Sequence, residues 1–256
     1  MSARTPPVAA LMIGTAGWSV PRASAHRFGG GAEAGSQLER YARHLPAVEI
    51  NSSFYRPHQR STYERWAAAT PPGFRFSVKL PRSVTHDGRL QGVDPLLEGF
   101  VQQAEGLGSR LACLLVQLPP SLALELPVAE AFLRSLRRVY PKGGIAVEPR
   151  HASWFTTDAD ALLNAWQAGR VLADPVLHPG GNAPGGWPGM VYCRLHGSPR
   201  RYYSAYDDTL LPALATRLHW AARSAQSVWC IFDNTASGAA AQNALDLHTA
   251  CAVRSV

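Results

Sequence analysis

The sequence predicts an α/β fold, a single domain built as a TIM-type (βα)8 barrel. Three observations lead there. Eight short apolar runs recur along the chain, most end in a polar residue, and most are followed by a helix-like segment. Strand and helix in strict alternation make a parallel sheet. Eight such units close a barrel whose chemistry gathers at the C-terminal ends of the strands. A length of 256 residues suits one domain of this kind.

The runs are Leu11–Gly17, Ala47–Asn51, Arg75–Leu80, Leu111–Leu118, Gly144–Arg150, Arg170–Asp174, Met190–His196 and Ser227–Asn234. Residues 1–10 are expected to form a flexible segment ahead of a domain over 11–256. Gly14 and Gly17 in the first run leave room for close backbone approach, and a Gly-rich loop follows at Gly29 to Gly31. Ser36 opens a helix to Leu45, with Leu38, Tyr41, Ala42 and Leu45 on one face. Ser61 and Glu64 form a capping-box pattern for the helix that carries Trp66. Pro81 stops the third run. Asp94 and Pro95 read as an N-cap and first helical residue, for a helix to about Gly106.

The fourth run stops at Pro119-Pro120, and Phe132, Leu133, Leu136 and Val139 mark the next helix. A helix over 158–168 is expected to end at Gly169, a C-cap position. From His178 to Gly189 the chain is too rich in Gly and Pro for any helix to persist. The barrel is therefore expected to have an irregular connection in place of its sixth helix. Two helices, from Asp208 to about Ser224 and from Ala236 to Cys251, flank the eighth run.

Composition narrows the class. Apolar residues make up 46% of the chain, enough for a substantial core, and no run approaches a membrane span. Met1 to Ala10 lacks the apolar stretch of a signal peptide, so a cytoplasmic protein is expected. The net charge is +7, but only Lys79 and Lys142 are lysines among 25 basic residues. Arg in place of Lys, beside abundant Ala and Pro, reads as a genomic habit rather than a nucleic-acid footprint. The four cysteines form no CxxC pair, and three lie inside strand runs, where a free thiol behaves as a small apolar side chain.

The polar terminators outline one site: Glu49, Asn51, Lys79, Gln117, Glu148, Arg150, Asp174, Arg194, His196 and Asn234. Residues two apart share a strand face, so Glu49 points with Asn51, Glu148 with Arg150, and Arg194 with His196. Charged groups on buried strands are costly unless paired or functional. Glu49, Glu148 and His196 are the acid–base candidates. Lys79, Arg150 and Arg194 form a cationic cup for phosphate or carboxylate, in which three positive charges face two negative. Asn51, Gln117, Tyr206 and Asn234 complete the expected ligand contacts. Lys79 is also a Schiff-base candidate, which requires a depressed pKa.

The segments Val48-Glu-Ile-Asn-Ser-Ser-Phe-Tyr55, Phe76-Ser-Val-Lys-Leu-Pro-Arg-Ser-Val-Thr-His86, Leu115-Val-Gln-Leu-Pro-Pro120, Val147-Glu-Pro-Arg-His-Ala-Ser-Trp154, Tyr192-Cys-Arg-Leu-His-Gly197 and Phe232-Asp-Asn234 resemble domain-of-unknown-function family 72, the YecE-like proteins. Gly14-Thr-Ala-Gly-Trp18 fits as well. The resemblance covers nearly the whole chain in the family's order. It implies a TIM-type barrel and brings no established reaction; proposals for the family rest on analogy with other barrels, including nucleases acting on abasic DNA. The chain departs from the family pattern at Pro149 and Asp233.

Together these features predict an enzyme-like barrel that binds a small anionic ligand, phosphorylated or sugar-type, with hydrolysis or isomerisation as its chemistry. The alternatives are a nucleic-acid-binding or nucleic-acid-processing barrel and a non-catalytic ligand-binding module. No cofactor is predicted. A divalent metal on Glu49, Glu148, Asp174 and His196 is the lesser reading, because no HxH, HxxE or ExxH spacing is present and three cations stand close by. The sequence specifies no oligomeric state.

Overall fold

The structure, a computed structural model, describes residues 8–29 and 35–253. Most of the expected flexible segment, residues 1–7, and Gly30 and Gly31 of the Gly-rich loop lie outside the described residues.

Strands and helices alternate as the sequence predicts. β1 (Leu11–Thr15), α1 (Gln37–Ala42), β2 (Ala47–Ile50), α2 (Arg60–Ala68), β3 (Arg75–Lys79), α3 (Asp94–Ala104), β4 (Leu111–Gln117), α4 (Leu126–Val139), β5 (Gly144–Glu148) and α5 (Thr157–Ala165) come first. The predicted sixth strand is interrupted at Val171, giving β6 (Ala168–Arg170) and β7 (Leu172–Asp174). Then follow β8 (Gly185–Gly186), β9 (Met190–Leu195), α6 (Leu210–Ala222), β10 (Ser227–Phe232) and α7 (Ala239–Val253).

Backbone ladders join these strands into two sheets, one ordered β1-β10-β9-β7 and one ordered β2-β3-β4-β5-β6-β8. All pairs are parallel except β6 with β8. The sheets meet at two places. β6 runs through Val171 into β7, and the Val171 N–H donates to Val147 O at 2.8 Å. At the other seam β1 and β2 share one isolated bridge, Ala16 with Glu49. There a Cβ on Gly14 would lie 2.0 Å from Ala47 O, so only glycine fits. The Tyr41 hydroxyl bonds both strands, accepting from Thr15 N at 2.9 Å and donating to Ala47 O at 2.9 Å.

Parallel strands covered on both faces are apolar on both, and two cores result. One packs helices against strands and includes Leu114, Val116, Cys230 and Phe232. The other lies on the opposite strand face and comprises Ala47, Cys113, Leu115, Ala146, Val171, Met190, Tyr192, Trp229 and Ile231. α4 shows how the first is built: Ala129, Phe132, Leu133 and Leu136 recur at helical spacing and all are buried.

Some local expectations are corrected. The capping box belongs to α1, where Ser36 Oγ accepts from Glu39 N at 3.2 Å and the Glu39 carboxylate accepts from Ser36 N at 2.5 Å. Ser61 lies inside α2, because Arg60 is anchored to α3 through Gln103 and Gln102, and Glu64 pairs with Arg60. Asp94 is the first residue of α3 rather than its cap, and Arg138 of α4 approaches it at 3.3 Å. α5 ends at Ala165, and Gly169 is a strand residue whose Cβ would lie 2.4 Å from Met190 O. The expected irregular connection contains a 3-10 turn, Pro179–Gly181, and β8. Asp160 secures it by accepting from Arg170 Nε at 2.9 Å and from Gly186 N at 2.8 Å.

Candidate functional site

Towards the C-terminal ends of the strands, the face that carries the second core turns polar. Ala47, Ser77, Ala146, Tyr192 and Ile231 are followed two residues later by Glu49, Lys79, Glu148, Arg194 and Asp233. Arg194, from β9, is 2% exposed and is the hub of this layer. Its Nε donates to both Glu49 oxygens, at 3.2 and 3.1 Å, and its Nη2 to Glu49 Oε1 at 2.8 Å. Its Nη1 donates to Glu148 Oε2 at 3.1 Å, and Nη2 also lies 3.0 Å from Asp233 Oδ2. Glu49 accepts as well from the Tyr192 hydroxyl at 2.8 Å. One guanidinium of the first sheet thus ties together two carboxylates of the second and one of its own.

His196 is fully buried between two of these carboxylates. Its Nδ1 lies 2.9 Å from Asp233 Oδ2, and its Nε2 lies 2.9 Å from both Glu148 Oε1 and Arg150 Nη2. Carrying both ring protons, the imidazole donates to Asp233 and to Glu148. Neutral, with its proton on Nδ1, it donates to Asp233 and accepts from Arg150.

Burial raises the Glu148 carboxyl, but Arg194, Arg150 and His196 together overcome it and hold the group well below the usual carboxylate range. For Asp233 burial likewise pushes up, and Arg194 and His196 bring the carboxyl down. Arg194 is held charged in spite of its burial by Asp233, Glu49 and Glu148. Lys79 differs. Burial and then Arg194 push its amine down to about 8, with Glu49, Glu148 and Asp233 opposing. Its Nζ lies 3.9 Å from the centre of the Phe54 ring, and among the described residues it has no hydrogen bond or ion pair.

Above this layer opens a cavity of about 620 Å³, lined by Asn51, Tyr55, Lys79, Gln117, Pro120, Arg150, Leu177, His178, Arg194, Arg201, Tyr202, Asp233 and Thr235. Five expected contact residues therefore share one cavity: Asn51, Lys79, Gln117, Arg150 and Arg194. Glu49, Glu148 and His196 do not line it and lie buried beneath its floor. Two buried polar atoms in its wall, Arg150 Nε and Asn51 Oδ1, have no protein partner.

Three expectations need correcting. Asn234 does not face the cavity; its amide donates to Ser204 O at 2.9 Å and Asn243 Oδ1 at 3.0 Å. It shares parity with Phe232 of the outer core, whereas Asp233 shares parity with Ile231. Tyr206 is 7% exposed, and its hydroxyl donates to Asp174 at 2.6 Å and accepts from Gly197 N at 2.9 Å. Tyr202 lines the cavity in its place. The charge count changes too. Asp233 is a third carboxylate that the sequence reading omitted and Arg201 a fourth cation, so four positive groups now meet three negative ones.

Asp174, held by Tyr206, does not join the carboxylates around Arg194. Among the described residues no three His, Cys, Asp or Glu side chains are arranged to hold a metal ion. Between Glu49 and Glu148 stands a guanidinium, which occupies the place a cation would need. The four cysteines are buried and in no disulfide, and burial raises the Cys193 thiol to about 12, far from a reactive thiolate.

The model for the protein family of unknown function DUF72 matches residues 12–255. The chain belongs to the DUF72 family. It is 34% identical over 121 residues to the UPF0759 protein YecE of Escherichia coli, a stretch covering 47% of this chain and 43% of YecE. It is 30% identical over 126 residues to the UPF0759 protein YunF of Bacillus subtilis, covering 47% and 44%. The matched stretch spans less than half the length of these relatives. A DUF72 family crystal structure from Enterococcus faecalis superposes with a TM-score of 0.77 at 22% identity, over 95% of this chain and 96% of that one. One from Thermotoga maritima gives 0.72 at 26% identity, over 93% and 98%. The α/β architecture is thus that of the DUF72 structures. No helix among the described residues is long and apolar enough to cross a membrane.

Proposed function

We propose that this DUF72 chain closes as a TIM-type (βα)8 barrel and binds a small anionic ligand, phosphorylated or sugar-type, in the mouth formed by the strand ends. The bridge between Ala16 and Glu49, and the passage of β6 into β7, support closure at the two seams. One observation carries the ligand reading: positive charge in the mouth is left without a protein partner. Lys79 and Arg201 have no ion pair among the described residues, and Arg150 Nε is buried without an acceptor. A residual positive charge between low-dielectric walls attracts an anion, and a guanidinium can grip phosphate or carboxylate with two N–H groups.

The acid–base work falls to His196 and its carboxylates. Asp233 lines the cavity and touches His196 Nδ1, so it links the buried imidazole to the ligand. This suits hydrolysis or isomerisation, in which a proton is moved rather than an electron. Buried cysteines outside any disulfide support a cytoplasmic setting.

The test is calorimetric titration with inorganic phosphate and with a sugar phosphate, on the wild type and on Arg201→Ala. Binding by the wild type that weakens about threefold to tenfold in the variant, the loss of one half-buried charge-assisted contact, is expected. No heat at millimolar ligand, or equal affinity in both proteins, would remove the reading. Salt-sensitive retention of DNA with no small-anion binding would favour a nucleic-acid-binding barrel.

A further inference from the structure

Lys79 is an unusual lysine. Side chains of this type almost never enter a protein interior unless paired, yet Lys79 is 6% exposed and no carboxylate bonds it. The charged groups around it are Arg194, Glu49, Glu148 and Asp233 from the strand ends, and His86 from the loop after β3. Arg194 has already claimed both glutamates and lies beside Asp233. One side of the amine is covered by the Phe54 ring, and the residue lines the cavity, which has room for a small molecule. A structural lysine would be expected to pair with one of the three carboxylates; this one bonds none of them and lines an open cavity.

We infer that Lys79 is a nucleophilic amine that forms an imine with the carbonyl group of a small anionic aldehyde or ketone. The inference rests on the anion-binding reading for the grip on the ligand's charged end, which falls to Arg150 and Arg201. The uncharged amine adds to the carbonyl carbon: the N–C bond forms and the carbonyl π pair moves to oxygen. The C–O bond then breaks, both amine protons leave with that oxygen as one water, and C=N remains. No oxidant or reductant enters the step. Burial and the neighbouring guanidinium, which push this amine down to about 8, supply the uncharged form near neutral pH.

The composition makes the test clean, because the only other lysine in the chain, Lys142, is exposed. The intact protein is incubated with glyceraldehyde 3-phosphate and sodium cyanoborohydride, and reduced adducts are mapped by peptide mass spectrometry. Labelling of Lys79 on the order of tenfold or more faster than Lys142 is expected. Glycerol 3-phosphate, which has the anion but no carbonyl, should slow labelling of Lys79 and leave Lys142 unaffected. Equal labelling of both lysines, or labelling of Lys142 alone, overturns the imine. The comparison is internal to the wild-type protein, so it does not depend on a Lys79 variant folding.

Further arms separate this inference from the reading beneath it. If glycerol 3-phosphate binds by calorimetry but no carbonyl probe labels Lys79, the anion site stands and the imine falls. If unphosphorylated glyceraldehyde labels Lys79 as fast as the phosphate, and glycerol 3-phosphate does not compete, the imine stands and the anion site falls.

Discussion

Replacing Arg194 by Gln should damage the fold more than any ligand contact. All three guanidinium nitrogens are engaged, and the buried carboxylates of Glu49, Glu148 and Asp233 depend on them. Gln is shorter, uncharged and able to serve one carboxylate at most. Breaking a buried pair by removing one partner costs about 3–5 kcal/mol, because the remaining charge stays buried. For a domain of this size that is roughly 6–20 °C of melting temperature. The sign with pH follows from the carboxyls. Glu148 and Asp233 are held below their ordinary values of 4.5 and 3.8. They therefore contribute stability that is full above those values and is lost as pH falls through the lowered folded-state ones. Without Arg194 their folded-state values rise, and the variant has less to lose on acidification. The gap between wild type and Arg194→Gln should be widest near neutral pH and narrow towards about pH 4. Thermal melts across that range measure it. A variant melting within about 2 °C of wild type at neutral pH, or a gap that grows on acidification, would refute the cross-tie.

Two smaller perturbations separate the cavity from its surroundings. Asn234→Ala removes bonds to Ser204 and Asn243 that lie outside the cavity; it should cost about 1–3 kcal/mol in urea unfolding and leave phosphate affinity unchanged in calorimetry. Gly169→Ala puts a methyl group 2.4 Å from Met190 O, a backbone atom with little room to yield, so denaturant unfolding should show a loss of about 1–3 kcal/mol or more.

Much of this was legible in the chain because buried parallel strands must be apolar runs and their ends need not be. All eight runs form strands, and Glu49, Glu148, Arg194 and His196 meet because strand-end placement and parity acted together. The misses have physical causes. Both faces of each strand are apolar, so the runs do not reveal which parity faces inward, and the sequence points to Asn234 where the structure places Asp233. The signal was present: Trp229 and Ile231 face the same core as Tyr192, and Asp233 continues their row. Gly169 read as a helix end because a glycine after an alanine-rich helix usually is one; only the approach of Met190 from β9 shows what it is for. Arg194 read as a ligand contact because one-dimensional counting cannot tell a saturated guanidinium from a free one.

The seam between β1 and β2 has a consequence for motion. Elsewhere adjacent strands are zipped by several backbone bonds, but here one bridge and one phenol hydroxyl hold two sheets side by side. Tyr41 comes from α1, so that helix works as a latch on the sheet edge as well as a cover for it. Glu49, at the same seam, contributes its backbone to the bridge and its carboxylate to Arg194. Any fluctuation that parts β1 from β2 thus reaches the floor of the cavity directly, and the polar layer restrains this narrow joint between the sheets.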